Sequence, residues 1–204
     1  MMRTPSPLDG DESHLQEVCI DSREAWRGDF LHVRSDLVRL PDGQEASREY
    51  IVHPGAVAIV PILDDGRLVL ERQFRYPLRR SVIEFPAGKL GTGEDPWQCA
   101  MRELHEETGY QAREWARAGL LHNAIAYSDE GIEIWFARGL RGGQRHLDEG
   151  EFLDVFIASE VELAAWVQNG TVTDAKTQIA LLWLQQWRAG IWPLSWKPAP
   201  ELVP

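Results

Sequence analysis

Residues 88–110 read GKLGTGEDPWQCAMRELHEETGY, and both ends of a helix are written in them. Asp95 can accept the first free amide N–H groups, and Pro96 suits the first helical position because its missing N–H would have no intrahelical partner. Gln98 stands where a capping box would close. Gly109 suits the left-handed residue that ends a helix, so the spacing predicts a helix over Pro96–Thr108. Trp97, Met101 and Leu104 recur at helical intervals and are expected to form its buried stripe. Glu103, Glu106 and Glu107 are three or four apart, which sends their carboxylates out within an arc of about 100°.

Two readings compete for those charges. One is a solvated acidic face, with an Arg102–Glu106 pair at i, i+4 contributing a few tenths of a kcal/mol. The other is a cation site. Like charges gathered near a helix C-terminus oppose the helix dipole, and that cost is relieved when a cation resides there. Hard carboxylate oxygens suit Mg²⁺ or Mn²⁺, ions that keep some waters and take substrate phosphates as further ligands.

The chain has 204 residues, 44% of them hydrophobic, enough for one ordinary domain with a small appendage. Its net charge of −11 argues against a nucleic-acid surface, and a phosphate substrate would have to be met locally by metal ions and a few arginines. Two cysteines, Cys19 and Cys99, give no disulfide framework, which fits a reducing cytoplasm. No apolar run approaches the roughly eighteen residues of a membrane span, and the N-terminus lacks a signal-peptide pattern.

Along the chain, residues 1–16 are polar and expected to be disordered. Residues 17–53 read as a small antiparallel sheet: a strand around EVCI, then GDFLHVRSDLVRL, a turn at Pro41-Asp42-Gly43, then SREYIV. Three short strands bury too little apolar surface to stand alone, so this sheet should pack on the main domain or on another subunit. Residues 54–192 follow as the main domain. AVAIVPIL reads as a strand buried on both faces, Asp64-Asp65-Gly66 as a turn, and RLVLERQFRYP as its partner strand. GLLHNAIAYS and EGIEIWFARGL are expected to be two strands around a turn at 128–131. RGGQRHLDEGEF is expected to be a charged loop before the strand FLDVFIA. Two helices come next, ASEVELAAWVQNG and 174–189, the second carrying Ile179, Leu182, Trp183 and Trp187 toward the core. The tail, residues 193–204, is Pro-rich and expected to be extended over the fold or a partner. Mixed strands with helices between them predict an α/β/α sandwich.

Gly88, Glu94, Arg102, Glu103, Leu104, Glu106, Glu107 and Gly109 stand at the spacing G-x5-E-x7-R-E-U-x-E-E-x-G-U. That pattern is the signature of the Nudix hydrolases, and the chain resembles them; the one loose match is Tyr110 at the last hydrophobic position. REYIVHPGAV, LDDGRLVLERQFRYP, EFPAGK, AYSDEGIEIWFARGL and DEGEF extend the likeness over roughly residues 17–190 to the ADP-ribose pyrophosphatase branch. The resemblance implies a Nudix-type α/β/α sandwich with a mixed sheet behind a small antiparallel one. It also implies a homodimer in which the substrate site is shared between subunits.

The implied chemistry is attack of water on a phosphorus of a nucleoside diphosphate sugar, with Mg²⁺ or Mn²⁺ as cofactor. By resemblance Glu103, Glu107 and the Ala87 carbonyl are metal ligands, Glu106 lies close by, and Arg102 orients the glutamates. Glu149 is the expected general base and Glu151 an additional metal ligand. Arg48, Arg75, Glu84 and Glu130 are candidate polar contacts to substrate, and Trp26 and Phe30 are candidates to stack on adenine. One departure stands out. Many relatives in this branch carry proline about sixteen residues beyond the closing glycine, where this chain has Ile125. The alternatives carried forward are another sugar nucleotide such as GDP-mannose, a dinucleotide, and a sensor with the same fold that binds ADP-ribose without hydrolysing it.

Overall fold

The computed structural model describes residues 6–200, which fall into two compact units. The smaller unit comprises the chain up to His53 together with residues 124–129. Its strands β1 (Val18–Arg27), β2 (His32–Arg39) and β3 (Glu45–Val52) form an antiparallel sheet in the order β1-β2-β3. Strand β1 runs well past the expected EVCI. Register shifts between Cys19 and Asp21 and between Glu24 and Trp26 break the alternation that would have marked its full length. All ten β1 residues are exposed. The hairpin from β2 to β3 turns as expected at Pro41–Gly43, with Gly43 at φ +86. Residues 1–5 lie outside the described residues, and residues 6–16 contain two exposed 3-10 turns, Pro7–Asp9 and Ser13–Leu15.

The larger unit is built on an eight-stranded mixed sheet. Strand β4 (Ala56–Ile62) is buried along its whole length, as its apolar run predicts, and pairs in parallel with β9 (Gly131–Gly142). Strand β8 (Tyr110–His122) pairs antiparallel with β9 through a register shift between Arg117 and Gly119. Two expectations are corrected here. Strand β8 begins directly after the helix instead of at Gly119, because Ala112, Trp115, Ala116 and Ala118 face inward among charged neighbours. It also stops at His122: residues 124–129 turn back on themselves, with Tyr127 and Ser128 N–H donating to the Ala124 carbonyl, and belong to the smaller unit.

Alternation along β4 divides the core into two layers. Val57 and Ile59 pack with Cys99, Ala100 and Leu104 of α1 (Pro96–Thr108), while Ala56, Ala58, Val60 and Ile62 pack on the other side. That second layer holds Leu163 of α2 (Glu160–Gln168) and Ala180, Leu181 and Leu184 of α3 (Ala175–Arg188). The result is the expected α/β/α sandwich. On α3 the buried stripe is Thr177, Ala180, Leu181 and Leu184, so Leu182 faces solvent and Trp183 and Trp187 lie at the margin of the core. As far as residue 200 the Pro-rich tail is extended; residues 201–204 lie outside the described residues. Trp192 and Trp196 pack on Trp183 and Trp187, and β11 (Lys197–Pro198) covers the outer edge of β8.

The feature that positions the site is a split in the sheet. Strand β5 (Leu68–Arg75) pairs with β4 at one position only, Ile62 with Leu68, and then diverges. Strand β10 (Leu153–Ala158) lines one edge of β5, and β6 (Arg80–Glu84) the other. The chain then crosses at Phe85-Pro86, and β7 (Ala87–Lys89) pairs back on β4. Two bonds hold the crossing: Phe85 N–H donates to Thr177 Oγ1 at 3.0 Å, and Ile59 N–H to the Pro86 carbonyl at 2.8 Å.

Helix α1 ends at Gly109, φ +74, against the start of the 143–152 loop. A Cβ at Gly109 would sit 2.6 Å from the Gly143 carbonyl oxygen and 3.0 Å from the Arg145 nitrogen. Gly109→Ala is therefore expected to cost more than the roughly 1 kcal/mol of a strained left-handed residue alone. A fall in melting temperature of more than about 2–4 °C is the expected reading by thermal denaturation.

Candidate active site

The helix carrying the glutamates is capped as its sequence predicts, by Asp95, which accepts from the amides of Trp97 at 2.9 Å and Gln98 at 3.3 Å. The reciprocal Gln98 side-chain bond is not formed, and the cap rests on Asp95 alone. Its buried face is also rotated from the expected stripe. Cys99, Ala100, Leu104 and Glu107 are buried, and Trp97 and Met101 flank them. A glutamate therefore occupies a core position of the helix.

Arg102 ties the signature loop to the helix. Its Nε and one terminal nitrogen donate to the two oxygens of Glu94, both at 2.9 Å, in a forked pair. The other terminal nitrogen donates to Glu103 at 2.8 Å and Glu106 at 2.9 Å. Gly91 N–H adds a bond to Glu94 at 2.8 Å. Chiefly through Arg102, the Glu94 carboxyl is held down at about 2. One guanidinium thus offsets three carboxylates and sets the rotamers of two on the helix.

The remaining acids converge on the sheet split. Glu107 is 3% exposed and accepts one bond, from Ala87 N–H at 3.0 Å. Burial first, and then the charges of Glu71, Glu103 and Glu151, push it up to about 10. Pro86 and Gly88 flank Ala87, whose N–H points away from β4, and strand geometry turns its carbonyl the same way. Glu103 lies against Gly88, where any Cβ would collide with its carboxylate, and burial raises its pKa. Glu151 accepts from Gln73 Nε2 at 3.4 Å and raises the pKa of Glu71, Glu103 and Glu107. Among the described residues no three acidic, histidine or cysteine side chains enclose an ion by themselves. The set is suited to an ion that completes its shell with waters and phosphate oxygens.

Beside this cluster lies a second one. Arg75 Nε and NH2 fork onto Glu84 at 2.6 and 2.9 Å, and Lys176 of α3 also donates to Glu84 and pairs with Asp174 at 3.2 Å. Burial works to raise Glu84, yet the two cations hold it below the usual carboxylate range. Arg75, Glu84 and Lys176 line a cavity of about 340 Å³ together with Thr173 and Asp174.

The other predicted residues are spread more widely. Glu149 is exposed on a tight turn in which Glu151 N–H donates to the Asp148 carbonyl and Gly150 takes φ +85. Glu130 is half-buried in the larger unit. Arg48, Trp26 and Phe30 belong to the smaller unit, where Arg48 Nε donates to Glu17 at 2.8 Å and the Phe30 ring meets His53 edge-on. Two residues escaped the sequence reading, Glu71 and Lys176. The signal for Glu71 was an acid at the inward position of RLVLERQFR; for Lys176, a cation in the first turn of a helix, where the dipole disfavours it.

With that geometry in hand, comparison with known proteins is specific. A model of the NUDIX domain matches residues 52–175, and one of the nucleoside diphosphate sugar hydrolase N-terminal domain matches residues 17–51. An ADP-ribose pyrophosphatase of Bacillus subtilis is 36% identical over 173 residues, covering 84% of this chain and 94% of the relative. The methanol dehydrogenase activator of Bacillus methanolicus is 37% identical with the same coverage. An ADP-ribose pyrophosphatase of Mycobacterium tuberculosis is 41% identical over 123 residues, 60% of this chain and 59% of the relative. A crystal structure of an ADP compounds hydrolase superposes with a TM-score of 0.78 at 26% identity, covering 86% of this chain and 96% of that one. Signature, sandwich and relatives agree: the chain belongs to the Nudix hydrolase family.

Proposed function

We propose that this chain hydrolyses the diphosphate bond of a nucleoside diphosphate sugar, foremost ADP-ribose to AMP and ribose 5-phosphate. The observation that carries the chemistry is the convergence of Glu103, Glu107 and Glu151 at the sheet split, beside Glu94 and Glu106 held by Arg102. The substrate rests on the relatives named ADP-ribose pyrophosphatase. A wider range of ADP compounds is the second reading, favoured by Ile125 in place of proline and by the likeness to an ADP compounds hydrolase.

A divalent cation, Mg²⁺ or Mn²⁺, fits the donor set: hard oxygens only, with Glu107 buried and left a single protein hydrogen bond. Glu103, Glu107, Glu151 and the Ala87 carbonyl would hold it. When bound it supplies Lewis acidity at the diphosphate oxygens. Arg102 keeps Glu103 and Glu106 in place through its ion pairs. Glu149, on the exposed turn, takes a proton from the attacking water, and the phosphorus–oxygen bond to the leaving phosphate breaks. Arg75 and Glu84 contact the substrate from the larger unit, with Glu130; Arg48, Trp26 and Phe30 are the proposed contacts of the smaller one.

The sheet at 17–53 is proposed to pair two copies, with 54–192 as the hydrolase domain. An outer strand exposing Val18, Ile20 and Trp26 supports this, since apolar side chains on a small sheet favour a covering partner. The free thiols Cys19 and Cys99 fit a reducing cytoplasm. No helix among the described residues is long and apolar enough to cross a membrane.

Incubation with Mg²⁺ and a panel of ADP-ribose, GDP-mannose, UDP-glucose and a diadenosine polyphosphate should release AMP and ribose 5-phosphate fastest from ADP-ribose. Binding without hydrolysis would point to a sensor instead. Glu149→Gln is expected to lower turnover by about 10²–10⁴-fold with little change in KM; near wild-type turnover removes Glu149 as the base. Sedimentation should give about twice the 23.2 kDa chain mass, and a value near 23.2 kDa rejects the dimer.

A further inference from the structure

Glu71 is a fully buried carboxylate that no part of the Nudix signature contains. It lies on β5, directly across from Glu84 on β6 and from Val155 on β10. Two carboxylates facing each other across a strand pair repel, and burial magnifies the repulsion. Glu84 is relieved by Arg75 and Lys176. The same two cations favour the Glu71 charge at longer range, but neither bonds it. It is 0% exposed, and neither of its oxygens meets a hydrogen-bonding group of the protein.

The direction of the side chain follows from the strand. Leu68 and Leu70 pack into the layer of α2 and α3, so alternation places Glu71 on the opposite side, toward α1. There its charge is felt by Glu107, and Glu151 bears on it in turn. An ionised carboxylate left unpaired in a core costs several kcal/mol. A protonated one would still leave its O–H without an acceptor among the protein groups. A cation held with Glu107, its shell completed by waters, would give those oxygens a partner.

We propose that Glu71 is a ligand of the divalent cation in this chain, extending the site from the signature helix across the sheet split onto β5. The proposal rests on the reading of the acid cluster as a cation site. It accounts for a buried strand position occupied by glutamate between the apolar run Leu68-Val69-Leu70 and the exposed Arg72. It also links the cluster to the cavity lined by Arg75, Glu84 and Lys176, because Glu71 borders both sets of charges.

The test is direct Mn²⁺ binding, read from the free-ion electron paramagnetic resonance signal without substrate. Wild type is compared with Glu71→Gln, Glu71→Val and, as a control for bulk charge, Glu160→Gln on α2. Both Glu71 variants are expected to bind at least tenfold more weakly, a loss typical of disturbing a metal's ligand environment. Glu160→Gln should match wild type. Melting in chelator checks the fold: Glu71→Val should be at least as stable as wild type, since it removes an unpaired buried charge. Mn²⁺ affinity within twofold of wild type in both variants would overturn the proposal, whatever happens to melting. If wild type itself binds no Mn²⁺, the cation-site reading falls and this inference with it; tight wild-type binding with unaltered variants sinks the inference alone.

Discussion

The single backbone pairing between β4 and β5, at Ile62 and Leu68, is the constraint from which the site follows. Once β5 leaves β4, the wedge between them has to be filled by something other than strand ladder. The chain fills it with the β6–β7 crossing, whose amides are satisfied by Thr177, Glu107 and β4. That places Ala87 and Gly88 in front of α1. The absence of a Cβ at Gly88 lets Glu103 lie against the backbone, and the free N–H of Ala87 takes hold of Glu107. Removing the divergence would continue the sheet and leave the helix glutamates facing an ordinary apolar strand.

The wedge gathers more negative charge than the protein itself neutralises. Arg102 offsets Glu94, Glu103 and Glu106 at the solvent side, and Arg75 with Lys176 offsets Glu84 at the other. Between these two positive groups lie Glu71 and Glu107, both buried and both pushed upward, the first to about 8 and the second to about 10. Burial is the leading cause in each case, with like charges adding to it. Such an arrangement is destabilising in isolation and becomes favourable when a cation is bound, which is the usual bargain at a site preorganised for charged substrates.

The helix was legible because Asp95, Pro96 and Gly109 are local signals, acting within a few residues of where they stand. The buried strand β4 was legible from its unbroken apolar run. What was not legible depended on partners distant in sequence. Bulges in β1 hid seven of its residues' alternation, charged outward residues hid the first half of β8, and the inward face of α3 was set by the sheet instead of by its largest side chains. The same holds in the site. The spacing of Glu103, Glu106 and Glu107 announces a cluster, but it takes the β5–β6 register to bring Glu71 opposite Glu84, and α3 to bring Lys176 to Glu84.

Thermal stability with and without Mg²⁺, at pH 5 and pH 8, tests the charge imbalance at the wedge most directly. Glu71 and Glu107 have folded-state values above the ordinary 4.5, so their contribution is fully present below about pH 4.5 and is lost as pH rises through about 8 for Glu71 and about 10 for Glu107. The groups facing them are Glu84, Glu103 and Glu151 on the acidic side and Arg75 and Lys176 on the basic side; Glu94, held low, stays ionised at both pH values. Chelator-treated protein should therefore melt lower at pH 8 than at pH 5. Saturating Mg²⁺, through binding to the folded state alone, should narrow that gap, with a contribution of about 2.7 kcal/mol at a hundredfold excess over Kd. A melting temperature that is the same at both pH values in chelator, and unmoved by Mg²⁺ at pH 8, would contradict the picture of an acid cluster waiting for a cation.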